Sequence, residues 1–167
     1  HYVYGATFRT SDDDDATWAQ QEARPTYPKE TGWAIKRIWQ IVGHPTEPDT
    51  LFCGVEEAGL FVSRDRGGSW HELSSLTRQG NRDKWFPGNG GLCLHTILIN
   101  PKDPKEMWIG ISAVGLFHTT DRGETWTNQN ATLPKLATGS DDTSTACCVH
   151  KVVLDPNDPK RLFMQFH

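Results

Sequence analysis

Gly59-Leu60-Phe61-Val62-Ser63-Arg64-Asp65-Arg66-Gly67-Gly68-Ser69-Trp70 and Gly115-Leu116-Phe117-His118-Thr119-Thr120-Asp121-Arg122-Gly123-Glu124-Thr125-Trp126 are near copies set 56 residues apart. Both carry Ser/Thr-x-Asp-x-Gly-x-x-Trp. A fixed period of this size signals a stacked repeat architecture. The motif reads as a hairpin staple. A strand ends in Ser63 or Thr119, the Asp65 or Asp121 carboxylate accepts turn N–H groups, and Gly67 or Gly123 supplies the positive φ of the turn. Trp70 and Trp126 open the returning strand and fold back over the turn as an apolar lid. A degenerate copy, Ser11-Asp12-Asp13-Asp14-Asp15-Ala16-Thr17-Trp18, keeps the Ser, Asp13 and the Trp but has Asp15 in the place of the Gly.

A second signal repeats in another phase. Ile41–Phe52, Ile97–Trp108 and Val152–Phe163 each read as an apolar strand, a Pro-x-x-Pro turn and a second apolar strand, with Pro45, Pro101 and Pro156 set 56 and 55 residues apart. Proline has no N–H to give to a ladder, so these pairs belong in turns between strands. Joining the two phases gives four antiparallel strands per repeat, A to D, which is the plan of a β-propeller blade. For the middle repeat the strands fall at about 92–99, 106–111, 115–119 and from 125. The fold expected is all-β, with about three blades' worth of chain cut inside a blade. Residues 1–32 form a C-D half-blade, 33–90 and 91–146 form whole blades, and 147–167 form an A-B half-blade.

The motif-bearing segments resemble the Asp-box (BNR-repeat) β-propellers, and among them the bacterial exo-sialidase-like proteins. Chains of that family are longer than this one, and the resemblance implies a ring that three blades cannot close. Two solutions follow. The chain is a piece of a longer propeller, or two copies form a homodimer that closes a six-bladed ring by exchanging half-blades. The chain opens on His1 and not Met, which marks processing or a boundary within a longer chain.

Composition narrows the class. The 167 residues are 36% hydrophobic, with seven Trp, 15 Gly and 10 Pro, which suits many short strands joined by turns. A net charge of −4 without a basic stripe speaks against a nucleic-acid partner. No apolar run reaches the ~20 residues of a membrane span. Cys53, Cys93, Cys147 and Cys148 have no disulfide-framework spacing; they read as reduced, mostly buried thiols, which favours a cytoplasmic setting. No cofactor is implied.

Propeller geometry then separates the two ends of the ring. The Asp-box turns lie on the A–B and C–D end, so their carboxylates read as structural. The functional end holds the A-strand starts, the B-strand ends and two long D–A loops, about 72–91 and 127–146. Trp39, His95 and His150 share one repeat position, six residues before their Pro, and Glu56, Ser112 and His167 share another. Polar groups converging at the mouth of a ring make the default binding site, here Arg37, Glu56, His95, His150 and Lys151, roofed by loops carrying Trp85 and Asp141 or Asp142. The duller readings stand beside it. The histidines serve as strand residues bonded to backbone carbonyls, and Lys36, Arg37 and Lys151 merely counter-charge Glu56 and Glu57. Cys93-x-His95 and Cys148-x-His150 also allow a soft tetrahedral metal set, although Cys-x-His on strands is a rare zinc pattern.

Sialidase chemistry is not carried over by these residues. It needs converging arginines and a Tyr–Glu pair, whereas Arg64, Arg66 and Arg122 sit in the turns of the opposite end and Tyr2, Tyr4 and Tyr27 all lie near the N-terminus. Another glycosidase would need two opposed carboxylates at the mouth, such as Glu56 or Glu57 with Asp141 or Asp142. A binding module needs only aromatic platforms, such as Trp33, Trp39, Trp85 and Phe86, with a few orienting polar groups. The expectation is a ligand-binding or scaffolding propeller with carbohydrate as a candidate ligand. Glycoside hydrolysis is the alternative, and a purely structural piece is the third reading.

Overall fold

The computed structural model describes residues 6–133 and 147–166. It is all-β. Strands β3 (Arg37–Gly43), β4 (Leu51–Glu56), β5 (Gly59–Ser63) and β6 (His71–Glu72) form one antiparallel four-stranded sheet in sequence order. Strands β7 (Leu94–Ile99), β8 (Met107–Ile111), β9 (Gly115–Thr119) and β10 (Thr127–Asn128) form a second in the same order. The hairpins β1 (Phe8–Thr10) with β2 (Ala19–Gln21), and β11 (Val149–Leu154) with β12 (Leu162–Phe166), are two-stranded sheets at either end. This is two whole blades flanked by two halves. Among the described residues, no helix is long and apolar enough to cross a membrane.

The sheets stack face to face, and the core lies between them. Phe8, Tyr27, Cys53, Val55 and Phe61 fill the space between the first hairpin and the sheet that follows. Leu60, Val62, Leu94, Ile97, Ile109 and Phe117 belong to the next interface, and Trp108, Leu116, Val149 and Val152 to the last. The middle strands β4, β5, β8 and β9 are therefore covered on both sides. For that reason their sequences run apolar without alternation, as in Met107-Trp108-Ile109-Gly110-Ile111, buried throughout.

The three hairpin turns are built alike. Ser63 Oγ, Thr119 Oγ1 and Ser11 Oγ accept the N–H of Gly67, Gly123 and Asp15 at 2.8, 3.0 and 3.0 Å. Asp65, Asp121 and Asp13 accept the N–H of Ser69, Thr125 and Thr17 at 2.8, 2.9 and 2.9 Å, and each takes the hydroxyl of that residue on its other oxygen. Gly67 and Gly123 have φ of +91° and +85°; Asp15 holds φ at +67°, a left-handed conformation that Asp tolerates better than most residues. The degenerate copy thus keeps these bonds. Trp126 lies over its turn, with ring carbon Cζ2 about 3.0 Å from where a Cβ on Gly123 would stand, and Trp70 stacks on Phe8 at 5.0 Å. The Pro-containing turns repeat as well: Thr50, Glu106 and Arg161 donate to the carbonyls of Glu47, Asp103 and Asp158 at 3.0, 2.9 and 2.9 Å. Both turn types sit at one end, because the Arg66 and Arg122 N–H groups bond to the Asp49 and Lys105 carbonyls at 2.9 Å.

The long loop after β6 holds a short helix, α1 (Ser74–Thr77), and a 3-10 turn, Arg82–Lys84. The inner strand β3 is open on one face, where Trp39 is 44% and Ile41 48% exposed. Tyr2, Tyr4, Asp141, Asp142 and His167 lie outside the described residues.

The turn carboxylates give the fold a pH signature. The Ser69 hydroxyl, then the Ser63 hydroxyl, holds Asp65 down at about 2, and the Thr119 and Thr125 hydroxyls do the same for Asp121. A carboxyl harder to protonate folded than unfolded contributes stability above pH of about 4 and loses it as pH falls toward 2. Thermal melts across that window will show a steeper fall in Tm for the wild-type chain than for the Asp65→Asn/Asp121→Asn variant, which starts less stable at neutral pH.

Candidate functional site

The inner strands are irregular at one shared position. Register breaks between Ile38 and Gln40, between Leu94 and Thr96, and between Val149 and Lys151, so Trp39, His95 and His150 are the extra residue of a β-bulge in three successive sheets. A bulge re-aims the side chains that precede it, and bulges concentrate beside functional sites. Past the bulge, Gln40 Oε1 accepts the Ile97 N–H at 2.6 Å, so this side chain turns toward the next sheet. Before it, Arg37 stands opposite Glu56 in the ladder.

Arg37 Nη1 lies 2.6 Å from Glu56 Oε2; the Glu56 side chain is 6% exposed and that of Arg37 53%. Lys36 pairs with Glu57 alongside, and that bond is the main cause that raises the Lys36 ammonium above its ordinary value. Glu56 also bridges to Cys93 at the start of the next sheet. Cys93 Sγ donates to the Gly90 carbonyl at 3.3 Å, and burial, then the Glu56 charge, pushes its thiol up to about 12. Gly91, at φ +99°, is what lets the carboxylate in: a Cβ there would stand 2.5 Å from Glu56 Oε1.

His95 is engaged between two inner strands. Its Nε2 is 2.9 Å from the Val149 carbonyl and its Nδ1 2.9 Å from Thr96 Oγ1, so Nε2 carries the proton and Nδ1 accepts from the hydroxyl. Burial pushes the imidazole down from its ordinary value, which keeps it neutral at pH 7. The bond ties β7 to β11, the strand that carries exposed His150 and Lys151. His150 Nε2 lies 3.5 Å from Cys148 Sγ.

Trp85 is placed elsewhere than the sequence suggests. It is 4% exposed, packed on Phe117 at 5.3 Å with its N–H directed to Asn81 Oδ1 at 3.3 Å, because α1 and the 3-10 turn fold the loop back onto the core. The exposed aromatic of that loop is Phe86, at 70%. The structure therefore joins Arg37 to Glu56 and His95 to the His150 strand, and buries Trp85 with the Arg82 guanidinium 4.9 Å from its ring. The counter-charging of Glu56 and Glu57 by Arg37 and Lys36 is present, and His95 plays the carbonyl-bonded strand role. Sequence reasoning missed the Gly91 gap, for which the Gly90-Gly91 pair was the available signal. It also missed the clamp around Glu57, whose carbonyl accepts both Arg82 Nη2 at 2.9 Å and the Tyr27 hydroxyl at 3.3 Å.

Glu56 and Glu57 are consecutive, and each is held by a cation; Asp141 and Asp142, the expected opposing carboxylates, lie outside the described residues. Among the described residues, no three His, Cys, Asp or Glu side chains gather as a metal set.

No family model matches the chain. A probable oligoxyloglucan-reducing end-specific xyloglucanase of Neosartorya fischeri is 30% identical over 90 residues, 50% of this chain and 10% of that protein. The oligoxyloglucan-reducing end-specific xyloglucanase of Emericella nidulans is 27% identical over 88 residues, 52% of this chain and 10% of that protein. Among solved structures, an ancestral GH74 enzyme superposes with a TM-score of 0.61 at 14% identity, over 93% of this chain and 18% of its own. The GH74 enzyme of Niastella koreensis gives 0.59 at 20% identity, over 90% and 20%. The likeness is one of fold: about three blades of a propeller. The chain spans about a tenth of the curated relatives.

Removing Arg37 leaves the buried Glu56 carboxylate unpaired, whereas Glu56→Gln removes the charge itself. Urea denaturation will show Arg37→Ala losing about 1–3 kcal/mol, moderated because half of the guanidinium already sits in water. In the Glu56→Gln background the same Arg37→Ala change will cost less.

Proposed function

We propose that this chain is part of a carbohydrate-binding propeller, with its site at the ring end where β3, β7 and β11 begin. One observation carries the reading: three aligned bulges set Arg37, Glu56, His150 and Lys151 at that end, with exposed Trp39 on the first of them. Charged donors and acceptors orient hydroxyls, and an indole stacks on the C–H face of a sugar ring. His95 acts here as the tie that positions the His150 strand. The xyloglucanase names of the partial relatives support a β-glucan-type ligand. The turn bracket supports membership in the Asp-box propellers, but the sialidase reading draws no support from the arginines. Arg66 and Arg122 are spent at the opposite end, on Asp49 at 3.3 Å and Glu47 at 2.8 Å.

Hydrolysis is the second reading, favoured by Glu56, a nearly buried carboxylate at the mouth. Affinity electrophoresis in xyloglucan gels and calorimetry with xyloglucan oligosaccharides separate the two. Binding is expected to be retarded in the gel and weakened about tenfold by Trp39→Ala or Lys151→Ala, with Tm nearly unchanged. Unaltered mobility in xyloglucan would sink the binding proposal. Release of reducing sugar that disappears in Glu56→Gln would instead establish the hydrolase.

The ends of the arc call for partner strands. Ile41 on the inner strand of the first whole blade and Val153 and Phe163 on the last hairpin are 42–49% exposed, and they stand on faces that stacked blades cover. We assign their partners to further blades of the same kind, supplied by the rest of a longer propeller or by a second copy. Light scattering across micromolar concentrations distinguishes these: a dimer mass supports half-blade exchange, and a monomer mass rules it out.

A further inference from the structure

Loop 22–36, which joins the first hairpin to β3, walls a cleft of about 630 Å³ that the ring-mouth reading does not use. Arg24, Pro25, Tyr27, Pro28, Lys29 and Trp33 line it, and among the described residues of its lining there is no carboxylate. The volume falls in the range of small-molecule sites. From this cleft we infer a second ligand site, one for an acidic sugar.

The aromatic platform is held in place before any ligand arrives. Trp33 meets Tyr27 edge to face at 5.4 Å, and the Arg82 guanidinium lies 4.6 Å from its ring centroid, covering one face of the indole. Tyr27 is fixed in turn by Phe61, edge to face at 5.2 Å, and by its hydroxyl bond to the Glu57 carbonyl. The approach to Trp33 is set by a 3-10 turn, Lys29–Thr31, in which Thr31 Oγ1 donates to the Pro28 carbonyl at 2.8 Å and accepts the Trp33 N–H at 3.2 Å. A platform fixed this way loses little rotamer freedom when a ring stacks on it.

Charge decides the class of sugar. Arg24 and Lys29 are both exposed and both line the cleft. Two donors on the wall suit a carboxylate, and Arg offers it a bidentate pair of N–H groups. The C–H face of a pyranose suits the indole. A uronic acid carries both features on one ring. A neutral sugar would stack without using the cations, and a simple carboxylate would use the cations without stacking.

The test titrates digalacturonic acid into the chain by calorimetry and ligand-observed NMR, with cellobiose and acetate as the neutral and non-sugar probes. Saturable binding of the uronate is expected, with cellobiose and acetate each weaker by about tenfold or more. Raising salt from about 0.05 to about 0.5 M should weaken the uronate and leave cellobiose unchanged. Arg24→Gln/Lys29→Gln changes only exposed side chains, so it should melt with the wild type while removing the preference for uronate over cellobiose. Trp33→Ala should abolish binding, and Trp33→Tyr, which keeps a platform and guards against loss of the fold, should retain it. Equal affinity for cellobiose, equal affinity for acetate, no saturable uronate binding, or full binding by the double variant would each overturn the proposal. Because Trp39 and Lys151 are left intact, xyloglucan binding at the ring mouth survives or fails independently.

Discussion

The burial of one sheet face against the next is the constraint on which everything else rests. A four-stranded sheet with apolar side chains on both faces, as in Leu51–Val55 and Gly59–Val62, is insoluble as a unit and becomes stable only between neighbours. Three apolar interfaces join the four sheets, and Phe61 and Phe117 stand at equivalent places in two of them. Stacking also dictates that each inner strand run beside the next. The mouth of the ring is therefore built from residues far apart in sequence.

Closeness at that mouth explains its electrostatics. Glu56 is drawn into a gap between two sheets, where an unpaired carboxylate would be costly, and Arg37 offsets the charge from the solvent side. The same closeness puts the Cys93 thiol beside the carboxylate, so burial and charge both keep it protonated. His95 is neutral for a related reason: it spans the strand gap with one N–H and one lone pair, each already used. These groups lock the inner strands together. Trp39, His150 and Lys151 beside them remain in water.

The two ends of the ring differ in what their polar residues do. At the turn end, the Asp-box carboxylates and hydroxyls are consumed by groups within a few residues, as in the closed circuit of Ser63, Asp65, Gly67 and Ser69, with the Arg122–Glu47 pair as a longer-range contact beside them. At the other end, the polar contacts reach between loops and sheets, as when Arg82 and Tyr27 meet on the Glu57 carbonyl. Local circuits stabilise hairpins whatever the protein does. Long-range contacts place side chains relative to one another, which a binding site requires.

The sequence by itself determined the repeat and nearly all that follows from it. The 56-residue period, the Pro-x-x-Pro turns and the Ser-Asp-Gly-Trp hairpins specified four-stranded blades, because each rests on contacts within a handful of residues. Even Asp15 in place of Gly was readable, since the rest of its turn was intact. The repeat arithmetic also aligned Trp39, His95 and His150, but only the ladder register revealed that they are bulges. The fate of Trp85 was decided by tertiary structure: a polar, glycine-rich loop gave no sign of the short helix that folds its indole under Phe117. So were the Gly91 gap that admits Glu56, the His95 bond to a carbonyl 54 residues away, and the Trp33 cleft. Periodicity records which face of an element is buried, but it carries no information on which residues of separate loops will meet; that is fixed only when the sheets pack.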